Sequence, residues 1–148
     1  MNDHKQLAID YFKQGYSCSQ SVFAAFSDIT GMSPEMSLKL SSSFGGGIGG
    51  MKETCGVVTG AFMVLGIRYG SAELLTPEDK KKFYAFVQTF SDEFNKSFGT
   101  LICRKLEEDA KSENFLTGEQ DNEFYRKKPC AVYVEYAAEL LDEYLGKY

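Results

Sequence analysis

The chain has 148 residues, of which 43% are hydrophobic and 25% charged. That is the make-up of one ordinary globular domain, residues 1–148, with enough apolar material for its own core. A net charge of −5 and a pI near 4.9 leave no basic excess, so no nucleic-acid partner is expected. The longest uncharged apolar stretch, 55–67, is interrupted by three glycines and is too short to span a bilayer. Met1-Asn2-Asp3-His4-Lys5-Gln6 has no signal-peptide core. A soluble cytoplasmic protein without a transmembrane segment is the expectation.

In chain order, nearly every segment has helical periodicity. Leu7, Ala8, Tyr11 and Phe12 make a first apolar stripe that stops at Gly15. Ser17 caps a second helix, with Cys18, Val22, Ala25, Phe26 and Ile29 inward and Gly31 at its end. Ser33-Pro34-Glu35 starts a third helix running to Phe44, and the glycine-rich segment 45–50 then forbids regular structure. A largely buried helix is expected over 52–69. Thr76-Pro77-Glu78-Asp79 opens a long helix whose Phe83, Phe86, Val87, Phe90, Phe94 and Phe98 recur at helical spacing. These phenylalanines read as core, with a homodimer face as the lesser reading. Gly99-Thr100 ends that helix and caps the next, which carries Ile102, Cys103, Leu106 and Ala110. Residues 111–128 are charged and weakly periodic, a loop or lid around one short helix. A last helix opens at Pro129 and buries Cys130, Val134, Ala137, Ala138, Leu141 and Leu145. No alternating strand pattern is present, which gives an all-α, single-domain bundle of six or seven helices.

The chemistry-bearing residues are few. The single histidine, His4, lies in a terminal segment expected to fray, which argues against Cys-His or Ser-His catalysis. Four cysteines remain, Cys18, Cys55, Cys103 and Cys130, and each falls near an expected helix N-terminus on an apolar stripe. Free backbone N–H groups and the helix dipole stabilise an anion there, so a thiol ionises more readily. Thiolate is the form that attacks a disulfide or binds a metal. Buried cysteine also serves as plain core packing. Intervals of 37, 48 and 27 residues contain no C-x-x-C, so any pairing is made by tertiary folding, and three connectivities stay open.

Gly45-x-Gly47-x-x-Gly50 matches a dinucleotide fingerprint only formally, because helix rather than strand precedes it. Gly46, Gly47 and Gly49 are retained as backbone that can approach an anion or thiolate closely; the alternative is a flexible connector. Glu107-Glu108-Asp109, Lys80-Lys81-Lys82 and Arg126-Lys127-Lys128 read as solvated surface.

Gly15-Tyr16-Ser17-Cys18-Ser19-Gln20, the glycine cluster, Cys55-Gly56-Val57-Val58-Thr59-Gly60, Cys103 before Arg104, and a final Cys130 together resemble the C_GCAxxG_C_C family of redox-active proteins. The likeness runs from Gly15 to the last helix, with Val57 where the motif has alanine. It implies a redox role for the four cysteines, and association with a transporter, since members are often encoded beside transporter genes.

The reading that follows is thiol–disulfide exchange. Cys55 is the expected attacking thiolate because of its neighbouring glycines, a second cysteine resolves the mixed disulfide, and the other pair serves as relay or sensor. The partner is a thiol or disulfide, and no cofactor is expected. Two alternatives stand beside it: a four-thiolate metal or iron–sulfur module, and a transporter-associated accessory domain whose cysteines are only core.

Overall fold

Nine α-helices and two short 3-10 turns are formed among the described residues, 3–148, of the computed structural model. Met1 and Asn2, the first residues of the segment read as lacking a signal-peptide core, lie outside the described residues. The all-α architecture is as expected. The count is higher because one expected helix is broken at Phe26 and the short helix within 111–128 counts as a further element.

Capping chemistry sets most boundaries. Asp3 accepts from the Gln6 N–H and opens α1 (His4–Gln14), which Gly15 closes at φ 105°. Ser17 and Gln20 form a capping box at the start of α2 (Cys18–Ala25). Phe26 leaves helical geometry, and a single turn, α3 (Ser27–Thr30), carries the chain to Gly31. Ser33 caps α4 (Pro34–Ser41), which tightens into a 3-10 turn over Ser42–Phe44. Thr76 caps α6 (Pro77–Phe98) by accepting from the Asp79 N–H. The charged stretch 111–128 holds a 3-10 turn and one short helix, α8 (Glu123–Lys127), as its weak periodicity suggested.

Two helices start later than the sequence pattern implied. The helix expected from residue 52 is α5 (Gly56–Tyr69), and Thr100 does not cap α7 (Cys103–Ala110). The reason is a short antiparallel contact between the segments leading into them. Thr54 pairs with Ile102, the Cys55 N–H donates to the Leu101 carbonyl (2.8 Å), and the Cys103 N–H donates to the Glu53 carbonyl (2.6 Å). Extended pairing uses the N–H groups that a helix would otherwise have committed.

The core is built from α5 and the last helix, α9 (Ala131–Lys147). Val57, Val58, Ala61, Val64 and Leu65 face Val134, Ala137, Ala138 and Leu141, with Phe23 and Phe26 added from α2 and its end. Gly56 and Gly60 let α5 lie against α2. A Cβ at Gly56 would sit 2.8 Å from the Ser19 N, and one at Gly60 would sit 2.9 Å from the Ser19 carbonyl oxygen. Of the phenylalanine stripe on α6, only Phe90 and Phe94 are fully buried; Phe83 and Val87 are half-buried on an open side.

His4 corrects an expectation. It is 7% exposed rather than frayed, stacked on Phe26 at 4.2 Å between ring centres. Its Nδ1 lies 2.6 Å from Asp142 Oδ1 and its Nε2 lies 2.9 Å from Asp28 Oδ1. These contacts tie α1 to α3 and to the end of α9. No helix among the described residues is long and apolar enough to cross a membrane.

Candidate functional site

All four cysteines stand at helix starts. Cys18 is the first residue of α2 and Cys103 the first of α7, while Cys55 and Cys130 occupy the capping positions of α5 and α9. Four dispersed residues thereby reach one place. Cys18, Cys55, Cys103 and Cys130 line a single cavity of about 60 Å³, and all four are free thiols. The convergence has identifiable causes. Close approach of α2 and α5 at Gly56 brings Cys18 beside the start of α5, with the Cys18 Cβ 3.2 Å from the position a Gly56 Cβ would take. The Thr54–Ile102 bridge places Cys55 and Cys103 on one face, because side chains alternate along extended backbone.

The glycine segment wedges between these elements. Gly46, Gly47, Ile48, Gly49 and Gly50 have φ of 61°, 71°, 67°, 57° and 75°, five consecutive residues in the left-handed region. That region costs an L-residue with a Cβ on the order of 1–2 kcal/mol, which explains four glycines and leaves Ile48 as the strained member. The loop also touches both sides of the site. A Cβ at Gly45 would fall 2.8 Å from the Ser17 Cβ, and one at Gly47 would fall 2.6 Å from the Cys103 Cβ. Gly46 and Gly47 line the cavity. Gly49 does not; it is exposed, and its part is to supply positive φ.

The thiols are not equivalent. Cys55 is 4% exposed, and burial pushes its pKa up to about 12, against the pull of the Val57 and Val58 amides at the start of α5. Cys103 is raised to about 11, first by burial and then by Glu107, whose Oε1 accepts from the Cys103 Sγ at 3.4 Å. The helix starts therefore do not make these two thiols acidic, because desolvation outweighs the dipole. Cys18 and Cys130 line the cavity together, and each is the main influence on the other's proton. Cys18 is held well above the ordinary range, first by Cys130 and then by burial, while Cys130 is lowered by Cys18. Among the four, only Cys130 is shifted toward the thiolate.

Three neighbours escaped the sequence reading. Glu107, taken as solvated surface, lines the cavity one helical turn after Cys103, a spacing that could have flagged it. Lys52 donates to Glu107 Oε1 at 2.6 Å and lowers its pKa, and nothing in the sequence signalled that pairing across 55 residues. Tyr133 is fully buried and donates from its hydroxyl to the Leu106 carbonyl at 2.7 Å, which closes the cavity floor. Among the described residues, no group of three or more His, Cys, Asp or Glu side chains is arranged to hold a metal ion, as a four-thiolate centre would require.

An all-α bundle that gathers four cysteines from four helix starts defines a thiol-cavity protein. Residues 16–144 match the C_GCAxxG_C_C family, described as putative redox-active protein, and the chain belongs to that family. Neither a curated protein nor a solved structure matches the chain.

Proposed function

We propose that the chain is a dithiol redox protein in which Cys130 is the attacking thiolate and Cys18 the thiol that resolves the intermediate. One observation carries this: Cys18 and Cys130 line one small cavity with the other two cysteines, and of the four only Cys130 is shifted toward the thiolate. The Cys130 thiolate attacks one sulfur of a disulfide, forming a mixed disulfide and releasing a thiolate that takes a proton from water. Cys130 then carries no charge, so its hold on the Cys18 proton, the largest cause of the raised Cys18 pKa, is gone while burial remains. Cys18 passes its proton to the leaving sulfur as it attacks the Cys130 sulfur, which releases the second thiol and leaves a Cys18–Cys130 disulfide. Two protein thiols are oxidised and one external disulfide is reduced.

Cys55 was the attacking residue suggested by sequence. Its burial favours the thiol, and with Cys103 it forms a slower second pair that exchanges with the first inside the cavity. Four free thiols in a small cavity suit the reducing cytoplasm. The test is equilibration of the full chain, without oxygen, in glutathione buffers of rising potential, followed by alkylation and digestion. Cys18–Cys130 is expected to be the first disulfide to form. A different first pair, or no intramolecular disulfide, would overturn the assignment.

A further inference from the structure

The size of the cavity bears on which oxidant the sulfurs meet, a question that rests on the dithiol reading and goes beyond it. At about 60 Å³ the space holds only a few waters, since one needs roughly 10–15 Å³ on this measure. Pockets for metabolite-sized ligands are usually several times larger, about 300–1,000 Å³. The wide hollows of this surface, near 490 Å³, lie along α6 around Tyr84 and are lined by no cysteine. The walls around the sulfurs are firm. Leu106 is 1% exposed and Tyr133 1%, and Gly47 already packs its backbone onto Cys103. A reagent held wholly within this space has only a few heavy atoms, whereas a larger disulfide meets the half-buried Cys130 from its open side.

Closing a disulfide from two thiols requires a two-electron acceptor. We infer that the acceptor the cavity is shaped for is hydrogen peroxide, so that the chain carries a peroxide-reducing activity at Cys130 and Cys18. Attack on oxygen is in line, with the leaving oxygen on the far side, and hydrogen peroxide satisfies this with two heavy atoms. An alkyl hydroperoxide must fit its carbon group in the same enclosure. The Cys130 thiolate attacks one oxygen; the S–O bond forms, the O–O bond breaks, and hydroxide leaves and is neutralised by the proton that Cys130 released on ionising, giving the first water. Cys130 is then a sulfenic acid, oxidised by two electrons. The Cys18 thiol condenses with it, forming the S–S bond and releasing water. Two thiols and one hydrogen peroxide give one disulfide and two waters.

The test compares oxidants of one chemistry and two sizes on the pre-reduced full chain at neutral pH. The rate of Cys18–Cys130 disulfide formation is measured by quenched peptide mass analysis with hydrogen peroxide and with tert-butyl hydroperoxide. Each rate is divided by the rate of free cysteine with the same oxidant. Hydrogen peroxide is expected to be favoured by at least about 10-fold after this division, the order of penalty for forcing extra methyl groups into a packed site. Leu106→Val, which widens the cavity, should shrink that preference. Equal normalised rates, hydrogen peroxide no faster than with free cysteine, or a preference unmoved by L106V would each overturn the inference. If Cys18–Cys130 forms in the glutathione equilibrium but shows no size preference, only the peroxide inference fails. If that disulfide never forms, the dithiol reading fails beneath it.

Discussion

Replacing Glu107 by glutamine should make Cys103 more reactive, because it removes the charge beside the sulfur while keeping a side chain of the same shape. Glu107 accepts from the Cys103 thiol and adds a negative charge beside it, and both effects favour the protonated form. Cys103 stands at about 11 against an ordinary 9.0, so at pH 8 only about one molecule in a thousand carries the thiolate. Burial is the larger cause of that shift and survives the substitution. The release is therefore no more than about one pKa unit, which raises the thiolate fraction up to about tenfold. A less basic thiolate is a weaker nucleophile, with a Brønsted slope of about 0.4–0.5, and the net gain becomes about two- to fourfold. Lys52, freed from its 2.6 Å contact with Glu107, pulls Cys103 in the same direction. The assay is iodoacetamide alkylation at pH 8, resolved by cysteine through peptide mass. An unchanged or slower rate at Cys103 in E107Q would refute the assignment of Glu107 as the group that holds this thiol protonated.

Three further outcomes follow from the packing. Gly56→Ala should destabilise the fold by about 1–3 kcal/mol in urea unfolding, because its Cβ would meet the Ser19 backbone at 2.8 Å; a neutral result would contradict the close approach of α2 and α5. His4→Ala should cost about 1–2 kcal/mol through the lost Phe26 stacking and the bonds to Asp28 and Asp142, whereas a frayed residue would cost within about 0.5. Stability should also fall with alkali. The Cys55 thiol keeps its proton up to about pH 12 when folded and loses it near 9 when unfolded. The stabilisation is complete below 9 and drains at about 1.4 kcal/mol per pH unit between those values. Cys55→Ala should flatten this slope in urea titrations at successive pH values.

Much of this fold was legible because its helix boundaries are written in local chemistry. Asp3, Ser17, Ser33 and Thr76 each accept from an N–H three residues on, and Gly15, Gly31 and Gly99 end helices at positive φ. The placement of all four cysteines at helix starts was visible for the same reason. What local pattern could not show was set by contacts distant in sequence. The Thr54–Ile102 bridge delays α5, and carboxylates 24 and 138 residues away hold His4 in place. The ranking of the thiols was hidden too, since it depends on how deep each sulfur lies and on Glu107, Lys52 and the Cys18–Cys130 contact. Helix position alone makes the four equal; burial separates them.

Central to this chemistry is that Cys130 is the thiolate of the four, lowered by its neighbour Cys18. The most direct measurement is the pH dependence of alkylation at each cysteine of the reduced chain, followed by the same titration of Cys18→Ala. Cys130 should ionise first, with a midpoint below the ordinary cysteine value, and should move upward when Cys18 is removed. If Cys55 or Cys103 ionises first, or if Cys130 is indifferent to Cys18, the account is contradicted.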